Sequence, residues 1–234
     1  MRAFVLCAGR GERLRPYTDY LPKPLLPVQG KPLLSIILEN LIAQGFHIIG
    51  LNAWHLKEKI LAFAEAFRRN HPGTHLRIFV EPELLGTCGA MRYASSFFTE
   101  PTLVINGDIL TNFPFRVVYE AFFRQRQPCL MFCHRRAGLN RVRVREGRVV
   151  GFGEDSPEGY AYTGIQVVSP EWVRGLPPER ELVPAYERLI ARGLFPGAFV
   201  AAGFYWQDIG TPETYRQALE DLRSGVMVPF APGP

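Results

Sequence analysis

Nowhere in its 234 residues does this chain hold an apolar run approaching about eighteen residues, so no membrane-spanning helix is expected. Nor is a secretory leader expected. The N-terminus, MRAFVLCAGRGERL, meets arginine after a short apolar run and has no small-residue cleavage site, which points to a cytoplasmic protein. Cysteine is sparse. Cys7, Cys88, Cys129 and Cys133 are too few for a disulfide framework in a chain this long and are expected to be reduced core residues. CLMFCH offers Cys129, Cys133 and His134, but no second ligand pair follows, which argues against a structural zinc site. The net charge of +5 is scattered, with no basic helix interleaved with stacking aromatics. Nucleic acid is therefore not the expected partner, and a small anionic substrate is. Lysine is the scarcest cation: Lys23, Lys31, Lys57 and Lys59 stand against 23 arginines. Lys23 lies between two prolines, where a compact ammonium suits a crowded phosphate site better than a guanidinium.

Apolar runs alternate with helical periods through the first half. AFVLC, HIIGLN, HLRIFVE and PTLVIN read as strands. PLLSIILENLIAQG, HLKEKILAFAEAFRRN and TCGAMRYASSFF read as helices, with Pro32 opening the first, Gly45 stopping it and Thr87 capping the third. That alternation predicts an α/β fold, a Rossmann-like three-layer α/β/α arrangement around a mostly parallel mixed sheet. Ligands of such sheets sit at the carboxyl ends of the strands. The second half mixes helices (113–127, 179–193 and from Thr211) with strands, and AFVAAGFYWQDIG is expected to be a hairpin or strand pair. No linker or repeat is evident. One domain over 1–222 is expected, with a first half at 1–110, a second half at 111–222 and a loosely held tail at 223–234.

The stretch LCAGRGERLRPYTDYLPKPLLPVQGKPLL, residues 6–34, stays irregular and cationic where a helix normally follows a strand. It is not a dinucleotide fingerprint, because Leu14 stands where the third glycine belongs and Pro16 follows. Nor is it a P-loop, since no Gly-Lys-Ser/Thr is present. Gly9 and Gly11 let consecutive backbone N–H groups approach an anion. Arg13 adds a planar clamp, and the prolines stiffen the loop. Arg10 and Arg15 read equally well as surface charge. His55 reads as a cap or packing residue, there being no adjacent nucleophile.

The same stretch resembles the signature of the sugar-1-phosphate nucleotidyltransferases, with Cys7 in place of an alanine. EPELLGTCGAM, VINGDIL, YTGIQVVSP and FYWQDIGTPETYRQA are similar to four further motifs of that family, in the same order. The short build resembles the N-acetylmuramate-1-phosphate uridylyltransferases and the mannose- and heptose-1-phosphate guanylyltransferases. The resemblance implies a Mg²⁺-dependent reaction in which a sugar 1-phosphate attacks the α-phosphorus of a nucleoside triphosphate and pyrophosphate leaves. It implies that Ala8, Gly9, Gly11, Arg13, Glu81 and Gly86 bind the nucleotide, and that Arg13 and Lys23 carry catalysis by neutralising the two reacting anions. Asp108 and Asp208 would hold the metal, and both end predicted strands; a turn role remains the alternative for each. Asn106, Asn140, Glu154, Thr163 and Gly164 would bind the sugar phosphate.

Two departures stand out. Asp155 occupies the place of a lysine that reaches the sugar phosphate in many relatives, and Arg141 is a candidate to replace it. Where others carry glutamine, Glu81 offers only acceptors, which favours uracil, thymine or guanine over cytosine; a surface role for Glu81 is the alternative. A catalytically silent, nucleotide-sugar-binding homologue and a phosphocholine cytidylyltransferase of the same fold are the competing functional readings. Oligomeric state is not legible.

Overall fold

The computed structural model describes residues 1–135, 141–153 and 160–228, so the candidate sugar ligands Asn140 and Glu154 lie outside the described residues. Two compact units share the chain, residues 1–84, 105–115 and 204 onward in one, residues 85–104 and 116–203 in the other. In chain order the first unit holds β1 (Arg2–Leu6), the single-turn α1 (Tyr17–Tyr20) and a small hairpin of β2 (Pro27–Val28) and β3 (Lys31–Pro32). It continues with α2 (Leu33–Ala43), β4 (Ile48–Ala53), α3 (Lys57–Asn70) and β5 (His75–Val80). The second unit takes over with α4 (Gly86–Tyr93). β6 (Thr102–Asn106) starts in that unit and returns the chain to the first, where β7 (Ile109–Thr111) follows. α5 (Phe115–Gln125) leads back to β8 (Cys129–Arg135), β9 (Arg141–Arg145), β10 (Arg148–Phe152), β11 (Tyr160–Val168), α6 (Pro170–Arg174), α7 (Leu182–Ile190) and β12 (Gly197–Ala201). The first unit closes with β13 (Trp206–Asp208) and α8 (Pro212–Arg223).

In the first unit β1, β4 and β5 run parallel, with Val5 opposite Leu51 and Asn52 opposite Phe79. β1 and β4 are nearly continuous buried runs, as strands covered on both faces require, whereas the edge strand β5 alternates between buried and exposed residues. Phe4, Leu34, Leu38, Leu41, Ile49 and Leu51 are fully buried there. In the second unit the order is β11-β8-β12-β10-β9. β8 pairs antiparallel with β11 and parallel with β12, while β9 and β10 form an antiparallel hairpin. Glu146 and Gly147, at its tip, both have positive φ (47° and 70°), the backbone a two-residue hairpin turn needs.

Three expectations need correction. Thr87 does not cap α4: it lies inside the first turn, and its hydroxyl instead accepts from Leu182 N–H at 2.9 Å, so it caps α7 across the chain. AFVAAGFYWQDIG is not a hairpin, because β12 pairs with β8 and β10 whereas β13 pairs with β7. Alternation gave both strands but carries no information about partners. The start of the tail is also packed, since Met227 is buried and its N–H bonds Asp221 O at 3.0 Å. The helix expected from Thr211 is α8, and Thr211 caps it in a reciprocal box with Thr214.

Among the described residues no helix is long and apolar enough to cross a membrane.

Candidate active site

The loop after β1 is irregular but ordered by short turns. Gly11 has φ 67°, and a Cβ there would fall 2.8 Å from Thr18 Cγ2 and 3.2 Å from Lys23 Cβ, so only glycine fits. Thr18 Oγ1 donates to Gly11 O at 2.8 Å, and Leu14 N–H bonds the same carbonyl at 2.9 Å, opening a 3₁₀ turn over Glu12–Leu14. Leu14 is fully buried and anchors that turn. His55 ties the loop down from β4's exit, its Nε2 bonding Thr18 O at 2.8 Å and its N–H reaching Ala8 O at 3.4 Å. That is the packing role expected of it. Gly9 differs from Gly11: a Cβ would meet nothing within 4 Å, so no protein atom accounts for a glycine there. Arg10 stacks over Trp54 at 4.8 Å and Arg15 pairs with Asp19 at 3.1 Å, the surface roles weighed for both.

Lys23 opens a second 3₁₀ turn, Lys23–Leu25, held between buried Pro22 and Pro24. Its ammonium is bound to Asp108 Oδ2 and lies 4.0 Å from Asp208 Oδ1. The two aspartates are brought together by the β7–β13 pair: Asp208 stands opposite Ile109, and Ile209 N–H bonds Asp108 O at 2.9 Å. Gly107 lets this turn press on β1, where a Cβ would fall 2.7 Å from Leu6 O and 3.0 Å from Cys7 Sγ. At Gly210 a Cβ would lie 2.8 Å from Asp208 Oδ1 and 2.9 Å from Arg13 Nη2. Glycine therefore leaves room for guanidinium and carboxylate to approach.

Four charged groups chosen from the sequence, Arg13, Lys23, Asp108 and Asp208, thus converge in the first unit. Burial lifts the Asp208 carboxyl from 3.8 to about 6, Asp108 adds to the rise, and Lys23 and Arg13 oppose it. Asp108 Oδ1 and Asp208 Oδ1 are both buried without a hydrogen-bond partner. Paired hard oxygens left unsatisfied fit a divalent cation such as Mg²⁺, which is commonly held by one or two carboxylates and completed by phosphate oxygens and water. Among the described residues no group of three or more His, Cys, Asp or Glu could hold a metal, so a ligand would have to complete the shell.

Glu81 is not a surface residue: it is 2% exposed at the end of β5. Asn52 Nδ2 donates to its Oε1 at 2.7 Å, while Asn52 Oδ1 accepts from Cys7 N–H at 2.6 Å. Asn52 was not singled out from the sequence. Its signal was available in IIGLNA, a polar side chain set in an otherwise apolar strand.

Asn106 ends β6 in the first unit; Gly86, Arg141, Thr163 and Gly164 belong to the second. A Cβ on Gly86 (φ 74°) would fall 2.5 Å from Arg180 O, so glycine is required there for packing alone. Thr163 is fully buried, and its hydroxyl donates to Phe132 O at 2.8 Å and accepts from Ile165 N–H at 3.3 Å. That leaves backbone as its means of touching a ligand. Gly164 (φ 75°) lies where the β11–β8 register shifts. Arg141 stands opposite Ala161 on β9. The cysteines are buried, and burial pushes the Cys88 thiol up to about 11, as expected of inert core residues.

A family model described as nucleotidyl transferase matches residues 2–138. The chain is 38% identical over 112 residues to the bifunctional protein GlmU of Methanocaldococcus jannaschii, a match covering 47% of this chain and 25% of that protein. It is 28% identical to the D-glycero-alpha-D-manno-heptose 1-phosphate guanylyltransferase of Aneurinibacillus thermoaerophilus, covering 95% of this chain and 99% of that one. The chain spans about half or less of the length of the bifunctional relatives it matches. HddC from Yersinia pseudotuberculosis, solved in complex with GMP-PN, has the same fold, with a TM-score of 0.77 at 24% identity over 94% of this chain and 99% of that one.

Proposed function

The chain belongs to the nucleotidyl transferase family, and from that premise we propose that it transfers a nucleotidyl group from a nucleoside triphosphate to a sugar 1-phosphate. An oxygen of the sugar phosphate bonds the α-phosphorus in line, the bond to the β-phosphate oxygen breaks, and pyrophosphate leaves. Both reactants are anions, so the barrier is one of positioning and charge. The observation that carries the reading is the ammonium of Lys23 held against Asp108 and Asp208 at the end of a glycine-rich cationic loop.

Each residue then has a task. Gly9 and Gly11 bring backbone N–H groups to the triphosphate, and Arg13 clamps it and stabilises the departing charge. Lys23, stiffened by its prolines, neutralises the reacting phosphates as they approach. Asp108 and Asp208 would hold Mg²⁺, which when bound supplies charge neutralisation at the phosphate oxygens. No side chain needs to act as a base, because the attacking phosphate is already ionised. Glu81 and Gly86 would meet the base, and Asn106, Thr163, Gly164, Asn140 and Glu154 would serve the sugar. Arg141 would supply the charge that Asp155 does not; its register beside β11, two residues from Thr163, supports this. Arg141→Ala should raise KM for the sugar phosphate far more than for the nucleotide, and equal effects would remove that role.

Pyrophosphate release in Mg²⁺, with UTP, dTTP, GTP, CTP and ATP against a panel of sugar 1-phosphates and phosphocholine, tests the whole reading. One productive pair establishes the reaction and its substrates. Turnover with phosphocholine alone would substitute the cytidylyltransferase reading, and nucleotide-sugar binding without any turnover would substitute the silent homologue.

A further inference from the structure

Resting on that reading, we propose that Asn52 is a positioning residue that fixes the base-recognition group, Glu81, to the start of the phosphate loop. The regular ladder of β1 and β4 ends at Val5 and Leu51, and that of β4 and β5 at Ala53 and Val80. Past those points the backbone ties are few: His55 N–H reaches Ala8 O at 3.4 Å and Glu81 N–H bonds Ala53 O. The side chain of Asn52, near the end of β4, adds a bridge across all three strands, accepting from Cys7 N–H at 2.6 Å on one side and donating to Glu81 Oε1 at 2.7 Å on the other. Glu81 is held a second time by its own N–H, which bonds Ala53 O at 2.9 Å. Asn52 and Glu81 are 3% and 2% exposed, so both bonds form where water does not compete.

The direction of the Asn52 amide is set by its partners. A backbone N–H can only donate, so the oxygen of Asn52 must face Cys7 and its NH₂ must face Glu81. Glu81 therefore receives a donor at Oε1, and a carboxylate there has only acceptors to offer a base. A base with a ring N–H on its pairing edge, as in uracil, thymine or guanine, satisfies such an acceptor, whereas cytosine presents a bare nitrogen. Cys7 is the residue before Ala8 and Gly9, so the same amide sets the distance between base recognition and the phosphate loop. Asn52 touches neither reacting atom.

Nucleotide binding should be titrated calorimetrically with UTP, GTP and CTP in Mg²⁺, alongside steady-state turnover and thermal melting. Asn52→Ala should weaken the preferred nucleotide about tenfold or more, the loss of a charge-assisted bond, and reduce discrimination against CTP. Its kcat and its KM for the sugar phosphate should stay within about threefold, the spread expected for a group that acts only in binding. Asn52→Asp should be worse, since it sets two carboxylates face to face. Glu81→Gln should turn its oxygen to Asn52 and its NH₂ toward the base, favouring CTP. The pair Asn52→Asp with Glu81→Gln restores the bridge with donor and acceptor exchanged: the introduced glutamine donates to the introduced aspartate and keeps an oxygen for the base. That double variant should recover affinity and base preference, and its conserved volumes keep it informative should the alanine variant fold poorly. Wild-type-like binding by Asn52→Ala, or a double variant no better than Asn52→Asp when both melt normally, overturns the assignment to Asn52 alone. Absence of nucleotide binding by the unsubstituted protein overturns the nucleotidyl-transfer reading with it.

Discussion

Two buried polar clusters, one in each unit, are handled in opposite ways. In the second, Gln166 is fully buried and its oxygen accepts from Tyr186 OH at 2.6 Å, with Cys129 Sγ at 3.8 Å. Thr163 beside it is closed off by Phe132 O and Ile165 N–H. In the first, Asp108 and Asp208 share one ammonium, and each keeps a buried oxygen with no partner. Unsatisfied polar atoms are costly and are kept out of ordinary cores. The Gln166 network is complete in itself, and the aspartate–lysine group is complete only with a ligand. Substitutions in the two places should therefore fail in different assays.

The largest effect belongs to the aspartate–lysine group. Lys23→Met or Asp108→Asn should lower kcat/KM for pyrophosphate release about a thousandfold, the scale of losing a preorganised charge at a transferring phosphate, while far-UV circular dichroism and melting stay near wild type. A variant of this group that unfolds instead would mean the cluster is a fold element, and the contrast with Gln166 would vanish. Next comes the opposite case. Gln166→Ala strands the Tyr186 hydroxyl and opens a cavity, which should cost about 3 kcal/mol in urea unfolding. Nucleotide affinity of the folded fraction should be unchanged.

The sharper probe is Asp208→Asn. Its carboxyl is raised from 3.8 to about 6 by burial and by Asp108, so between those values the folded state binds a proton that the unfolded state has released. Stability therefore falls as pH rises through that window and stays reduced above it. Asparagine has no such loss. The variant should match wild type near the acid end of the window and gain about 2 kcal/mol above pH 6, a figure set by the shift and reduced for solvent. Activity should be lost throughout. Urea melts across pH 4 to 8 read both, and a variant less stable than wild type at neutral pH would show that the pair is not in mutual conflict.

Much of this was legible in the chain because the chemistry was local. The strands and helices of the first half and the start of α8 near Thr211 follow from residues within a few positions of one another. What was not legible depended on pairing. Alternation found both strands in AFVAAGFYWQDIG, yet only the register of β13 against β7 brings Asp208 to Asp108. Thr87 looks like a cap for its own helix and serves α7 because Leu182 comes to it from 95 residues away. Asn52 escaped notice for the same reason, since its two partners lie 45 and 29 residues distant.

The two loop glycines give the smallest effect and separate the same two kinds of necessity within three residues. Gly11 is demanded by the protein: φ is 67°, and Thr18 and Lys23 fill the space a Cβ would take. Gly11→Ala should cost about 1 kcal/mol or somewhat more from left-handed backbone strain, visible as a lower melting temperature with or without nucleotide. Gly9 is demanded by nothing in the protein, for a Cβ there meets no atom within 4 Å. Gly9→Ala should therefore melt within about 0.5 kcal/mol of wild type, as substitutions outside packed or strained positions do. If the backbone at Gly9 receives the triphosphate, the added methyl lies where the phosphate must come, and nucleotide affinity should drop while stability does not. Equal nucleotide affinity in Gly9→Ala and wild type would move the triphosphate away from this glycine and leave Arg13 and Lys23 as its holders.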